Sequence, residues 1–277
     1  MNLFAFFALT APVRLPPSWR RSWSAEGLLL AVSAFLLLSA NSAFFRQALT
    51  GRSLGDPSSW GFGLALALAL LALNFLVLGL FCHGRLLKPV AALLILVAAG
   101  GSHFIGTFGV YLDPSMLRNA PRTDPAEARE LIGPALALRL GLQAALPIAL
   151  LAWLPLRRRP FAKAALARTL WLLGALVLLV AAVMIEFRPL SSMMRNQREL
   201  RYLVTPANVL WSAGSVIAAD LKGAARPRQP IGLDAAPGPR MSARTRPMRV
   251  VLVVGETARA ANWGLNGHAR QTTPELA

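Results

Sequence analysis

The chain has 277 residues, 55% of them hydrophobic and 15% charged, a balance that excludes an ordinary soluble domain of this size. Its formal net charge is +17, but the basic residues sit in short loops and in a tail, without a DNA- or RNA-binding motif, so nucleic acid is excluded and anionic lipid head groups account for the charge. The one cysteine, Cys82, cannot pair within the chain and says nothing about redox compartment.

Residues 1–27 read as a cytoplasmic N-terminal extension; its first 13 resemble a short secretory apolar region but lack a basic start. Five apolar runs follow, at 28–45, 60–82, 86–111, 131–156 and 164–187. Each is close to the roughly 20 residues that cross a bilayer as a helix, which predicts a five-helix transmembrane domain over 28–187. The first run is the shortest and contains Asn41. The fourth contains Pro134, Arg139, Gln143 and Pro147, which predicts a kink or a protein-packed face. Arg139, Gln143 and His103 are expected to hydrogen-bond between helices, and Gly61, Gly63 and Gly79 to let helices approach.

Lys and Arg in the short loops set the orientation. Arg14, Arg20, Arg21, Arg85, Lys88, Arg157, Arg158, Arg159, Lys163 and Arg168 fall on one side, against Arg46, Arg52, Arg118, Arg122 and Arg129 on the other. The N-terminus is therefore expected in the cytoplasm and everything after residue 187 outside it, in the periplasm of a Gram-negative cell.

The loop 112–130 is unusually polar. Asp124, Pro125, Glu127 and Glu130 form the pattern of a helix start: a capping carboxylate, proline in the first position, acids in the first turn. Residues 188–248 read as periplasmic interfacial helices and a linker. Pro206 divides the helical part, with Val209, Ala213, Val216 and Ile217 at helical spacing after it and Trp211 as an anchor. Before it, Leu200, Leu203 and Val204 oppose Arg195, Arg198 and Arg201, so this segment lies along a membrane surface or packs on a soluble domain. Residues 222–248, rich in Pro, Gly, Ala and Arg, make the bridge.

Residues 249–277 carry the chemistry. The β-branched run 249–254 is the pattern of a strand buried on both faces. Gly255 ends it, leaving Glu256 and Thr257 at the strand's carboxyl end, where open α/β sheets place ligands. An alcohol ionises near pKa 16, and bringing that to about 7, as zinc does for water, is worth roughly 12 kcal/mol at about 1.4 per unit. A divalent metal beside Thr257 with Glu256 as ligand could supply this. From the Gly-Glu-Thr turn alone, Thr257 as a helix cap with a solvated Glu256 is the simpler reading.

The residues that follow reverse that preference. Gly255-Glu256-Thr257, Arg259-Ala260, Asn262-Trp263-Gly264-Leu265, Asn266-Gly267, Arg270 and Thr272-Thr273-Pro274 closely resemble the nucleophile region of the phosphoethanolamine transferases that modify lipid A, members of the alkaline phosphatase and sulfatase superfamily. The loop 109–132 is similar to the family's stretch after its third span, and Arg195-Asn196, Glu199 to Leu203 and Pro206-Ala207-Asn208 echo its connection between membrane and catalytic domains. The resemblance covers nearly the whole chain and is weakest before Leu28. It implies Thr257 as the nucleophile, Glu256 and Thr257 as zinc ligands, and Asn119, Thr123 and Glu127 as the pocket for the ethanolamine lipid head group. Two departures stand out: His268 replaces a more usual tyrosine, and Pro121 interrupts the segment between Asn119 and Thr123.

The resemblance thus implies an α-helical membrane domain of five transmembrane helices, followed over 249–277 by the first strand and turn of an α/β alkaline-phosphatase-like domain. The implied activity is zinc-dependent transfer of phosphoethanolamine from phosphatidylethanolamine to lipid A, in the cell inner membrane, conferring polymyxin resistance. The family's other zinc ligands and substrate histidines would follow Ala277, so these residues are expected to be inactive alone. Two alternatives are a related sulfatase or phosphotransferase and a non-catalytic, lipid-binding membrane module.

Overall fold

The computed structural model describes residues 22–53, 55–157, 159–224, 232–236, 238, 241, 246, 249, 251–252 and 259–276. Two compact units divide the chain, Met1–Arg226 and Pro227–Ala277, with the boundary inside the Pro/Gly-rich stretch 222–248.

In the first unit, α1 (Ala25–Ala40) starts under Ser24, whose hydroxyl accepts from the Gly27 amide at 3.0 Å. It stops at Asn41, and α2 (Ser42–Ala48) leaves at 62°. The single span expected over 28–45 is therefore a bent pair. At the break the Asn41 side-chain amide donates to the Leu36 carbonyl at 2.9 Å, a bond back to the preceding turn that competes with continuing the helix. The spans that follow are regular. α3 (Pro57–Phe81) begins with Asp56 as cap and proline in the first turn. α4 (Leu87–Phe108) follows a 3-10 turn, Gly84–Leu86, and ends on Gly109 at φ 66°, a left-handed position suited to glycine.

The fourth run is α7 (Pro134–Leu140), a single π turn Gly141–Ala145 and α8 (Leu146–Trp153). Between α4 and α7 lie α5 (Pro114–Asn119) and α6 (Pro125–Glu130). Pro147 has no N–H for the Gln143 carbonyl, so the expected kink takes the form of a π turn rather than a break. Of the expected inter-helix bonding, Gln143 shows it: its side-chain carbonyl accepts from Ser102 of α4 at 3.4 Å and, within its own span, from Arg139 at 3.1 Å, while His103 makes ring contacts with Phe104 and Phe108 of its own helix. The last span is α9 (Phe161–Ile185). Among the described residues four helices are long and apolar enough to cross a membrane, and five if α1 and α2 count as one span.

Gly79 of α3 is where two spans need a small residue. A methyl group there would come within 2.6 Å of the Leu172 side chain of α9. Gly61 and Gly63 face less crowded ground, with nearest atoms at 3.6 and 3.9 Å.

Two buried apolar clusters hold the bundle. One joins Leu29 and Leu36 to Phe75, Leu78, Ala91 and Ile95 across α1, α3 and α4. The other joins Phe44, Phe62 and Ile105 to Leu200, Leu203 and Val204. The second cluster settles what the basic segment before Pro206 covers. α10 (Phe187–Asn196) and the 3-10 turn Arg198–Leu203 cap the bundle itself, with Leu200 and Leu203 only 1% and 3% exposed and Arg195, Arg198 and Arg201 outward. α11 (Ala207–Ala224) follows.

In the second unit the described pieces are three short 3-10 turns, Ala260–Asn262, Gly264–Asn266 and Pro274–Leu276. The strand expected over 249–254 lies partly outside the described residues. Arg249, Val251 and Leu252 have no strand pairing, and Val251 and Leu252 are exposed. A single strand has no neighbour with which to complete a ladder.

Candidate functional site

The loop after α4 is built from proline-started turns. Asp113 caps α5, its carboxylate accepting from the Met116 amide at 2.8 Å and the Ser115 hydroxyl at 2.9 Å. The helix ends at Asn119, and Pro121 sits in a 3-10 turn, Ala120–Arg122, that joins it to Thr123. The departure from the family pattern at Pro121 is thus absorbed by a tight connection. Thr123 stays one turn from Asn119, its hydroxyl donating to the Asn119 carbonyl at 3.3 Å. Asp124 then accepts from the Ala126 amide at 2.7 Å and starts α6, with Glu127 in its first turn.

This places Asn119, Thr123 and Glu127 on one short stretch. Asn119 and Glu127 are exposed and Thr123 is half-buried. Among the described residues the Glu127 carboxylate has no ion-pair partner, although Arg118 in the same loop has one in Asp220 of α11 at 2.6 Å. A carboxylate, an amide and a hydroxyl on one short stretch are the group types that suit a ligand with an ammonium and several oxygens.

The loop is tied to the bundle from three sides. The Ser212 hydroxyl of α11 donates to the Leu112 carbonyl at 2.9 Å, Arg118 pairs with Asp220, and the Tyr111 hydroxyl lies 3.3 Å from the Gln47 side-chain oxygen of α2. The α2 bend is fixed in turn by Asn41, whose amide donates to the Thr205 carbonyl and whose oxygen accepts from the Thr205 amide, both at 2.9 Å. Between these elements is a cavity of about 210 Å³ lined by Arg46, Gln47, Gly106, Gly109, Tyr111 and Leu203 among others. Sequence reasoning noted Asn41 only as an interruption of the first run and Arg46 only as a loop charge, gave neither a role at this site, and passed over Gln47. The available signal was an asparagine interrupting an otherwise apolar run.

Glu256 and Thr257 lie outside the described residues. The part of the motif that follows them is cross-tied. The Thr272 hydroxyl donates to the Asn262 carbonyl, the Gly264 amide to the Thr273 hydroxyl at 3.2 Å, and the Asn266 side chain to the Ala260 carbonyl at 2.8 Å. Gly267 sits at φ 84°, which explains a glycine there. His268 is held through its backbone, its amide bonded to the Trp263 carbonyl. Among the described residues no group of three His, Cys, Asp or Glu could hold a metal. Glu256 and Thr257 offer two oxygen donors, fewer than the three protein ligands of a catalytic zinc site. The residues at hand therefore do not by themselves fit zinc.

Comparison with known proteins gives the same direction as the loop. Residues 70–221 match the family described as phosphoethanolamine transferase EptA/EptB. The chain is 33% identical over 262 residues to the phosphatidylethanolamine transferase Mcr-1 of Escherichia coli, covering 94% of this chain and 48% of that one. It is 31% identical over 250 residues to the phosphoethanolamine transferase EptA of Escherichia coli K12, covering 90% and 46%. Among solved structures it is similar to the integral membrane protein lipooligosaccharide phosphoethanolamine transferase A of Neisseria meningitidis, with a TM-score of 0.78, 26% identity, and coverage of 92% of this chain and 47% of that one. The chain spans about half the length of the relatives it matches. With the match at 70–221 taking in more than half of its residues, the chain belongs to the EptA/EptB phosphoethanolamine transferase family.

Proposed function

We propose that these residues form the membrane half and the nucleophile turn of an inner-membrane enzyme that moves phosphoethanolamine from phosphatidylethanolamine to a phosphate of lipid A. The observation that carries this is family membership, joined to the Gly255-Glu256-Thr257 turn and its following motif. The Thr257 oxygen forms a bond to the phosphorus of the donor, the bond from phosphorus to the glycerol oxygen breaks, and diacylglycerol leaves with the proton. A lipid A phosphate oxygen then displaces the threonine, and the free hydroxyl returns. Glu127 receives the ethanolamine ammonium while Asn119 and Thr123 bind polar oxygens, as their position on one exposed loop allows. The product carries less negative charge, which weakens binding of polymyxin. Zinc would hold Glu256 and Thr257 and lower the alcohol's pKa, but it needs ligands beyond those two. The first strand and turn of an α/β alkaline-phosphatase-like domain are part of the same proposal. So is the orientation, with the N-terminus cytoplasmic and residues after 187 periplasmic.

The test joins residues 1–277 to the half of Escherichia coli Mcr-1 that this chain does not match, and supplies labelled phosphatidylethanolamine. Peptide mass spectrometry should find phosphoethanolamine on Thr257 and none in Thr257→Ala. An active chimera whose Thr257 is never loaded overturns the proposal.

A further inference from the structure

A large cavity lies at the opposite end of the bundle from the loop site, with a volume of about 1080 Å³. Its walls come from the start of α1, the 83–88 connection, the 156–161 connection and the first three turns of α9. Basic side chains dominate it: Arg85, Lys88, Arg157, Arg159 and Arg168, with His83 beside them and Glu26 as the carboxylate.

These charges are not equivalent. Lys88 is committed to the end of α8, donating to the Ala152 and Leu154 carbonyls at 2.8 and 2.7 Å. Arg168 is committed to the end of α3, donating to the Gly79 and Cys82 carbonyls, both at 3.0 Å. Arg159 is 3.5 Å from Glu26, and Arg168 is 3.8 Å from its other oxygen. Glu26 is 3% exposed and so faces these arginines rather than solvent. Arg85 and Arg157 have no ion-pair or side-chain hydrogen-bond partner among the described residues, and both are exposed.

The surroundings set the depth. Trp23, Trp153 and Phe161 are exposed around this end, the aromatic arrangement of a bilayer interface. A second, apolar cavity of about 370 Å³ continues along the same helices, lined by Leu30 of α1, Phe75 of α3, and Trp171, Gly174 and Leu178 of α9. On α1 it takes over one turn after Glu26, and on α9 where Thr169 and Leu172 leave off. A basic chamber at head-group depth, with an apolar groove further along the same spans, has the charge and layout of an anionic two-chain lipid.

We propose that this basic cavity is a binding site for the head group of an anionic glycerophospholipid, with an acyl chain along the groove between α1, α3 and α9. Arg85 and Arg157 contact the phosphodiester, and Lys88, Arg168 and Glu26 hold the walls. The inference rests on the bundle and not on the transferase reading.

The 277-residue chain, reconstituted in vesicles of equal phosphatidylglycerol and phosphatidylethanolamine, is extracted, and its retained lipids are counted by native mass spectrometry. Wild-type protein should retain phosphatidylglycerol preferentially. In Arg85→Gln/Arg157→Gln that preference falls by about 25-fold, at about fivefold for each arginine, with phosphatidylethanolamine retention unchanged. Millimolar inorganic phosphate should leave the bound lipid in place. Equal retention of the two lipids by wild type, an unchanged preference in the double variant, or displacement of lipid by phosphate would each overturn the proposal. Both arginines are exposed and without a side-chain partner among the described residues, so circular dichroism of the double variant should match wild type.

Discussion

Asn41 is one side chain with three consequences. It ends α1, sets the direction of α2, and holds the segment before α11 through two hydrogen bonds to the Thr205 backbone. Both residues are fully buried, so truncation leaves a backbone amide and a carbonyl without partners, which costs about 1–3 kcal/mol. Asn41→Ala should lower the unfolding temperature in detergent and increase proteolysis after residue 196. Asn41→Asp, which keeps the acceptor but loses the donor, should do the same. A pair of variants as stable as wild type would remove the clamp from the account. Glu127 is the opposite case, exposed and without structural employment among the described residues. In the active chimera, Glu127→Gln should raise KM for phosphatidylethanolamine while leaving thermal stability within about 0.5 kcal/mol of wild type, the usual range for surface substitutions.

Helix ends show a second kind of legibility. The apolar runs announced five spans by length alone, because a membrane imposes a thickness and the sequence must meet it; among the described residues four are straight or kinked helical stretches and the first is the bent pair. The caps were readable too: Asp124 and Pro125 start α6 as their types predict. The burial of Leu200 and Leu203 and the pairing of Asn41 with Thr205 were not readable, since each depends on a partner distant in the chain; Asn41 and Pro147 were in view, but not the 62° bend or the π turn they go with. Asp56 gives the element scale its pH test. Its carboxylate caps α3, accepting from the Ser58 hydroxyl at 2.7 Å and the Ser58 amide at 2.9 Å, and the hydroxyl bond chiefly holds its pKa below the ordinary 3.8. A lowered folded pKa stabilises the fold above the unfolded value and loses that contribution as pH falls through the folded one. The unfolding temperatures of wild type and Asp56→Ala should therefore differ at neutral pH and converge below 3.8. A constant difference across that range would mean that the carboxylate's charge does not matter to the cap.

At the scale of the molecule, the first unit holds two apolar clusters, tied loops and every described span. In the second unit the proposed nucleophile turn lies outside the described residues, and no strand is present among the described ones. A sheet needs several strands before it buries a face, and a reactive threonine needs its metal held by at least three protein groups. Glu256 and Thr257 make two, and the described remainder of the chain supplies no further cluster. Residues 1–277, expressed alone in a polymyxin-sensitive host, should therefore insert in the inner membrane and leave lipid A unmodified by mass spectrometry. Insertion and inactivity are separately measurable. A phosphatase reporter fused after residue 224 should be active outside the cytoplasm, and one fused after residue 85 should not, if the loop charges set the orientation. Modified lipid A from residues 1–277 alone would show that the threonine can be activated without protein ligands beyond Glu256 and Thr257, and the metal reading would fall while the family assignment stood.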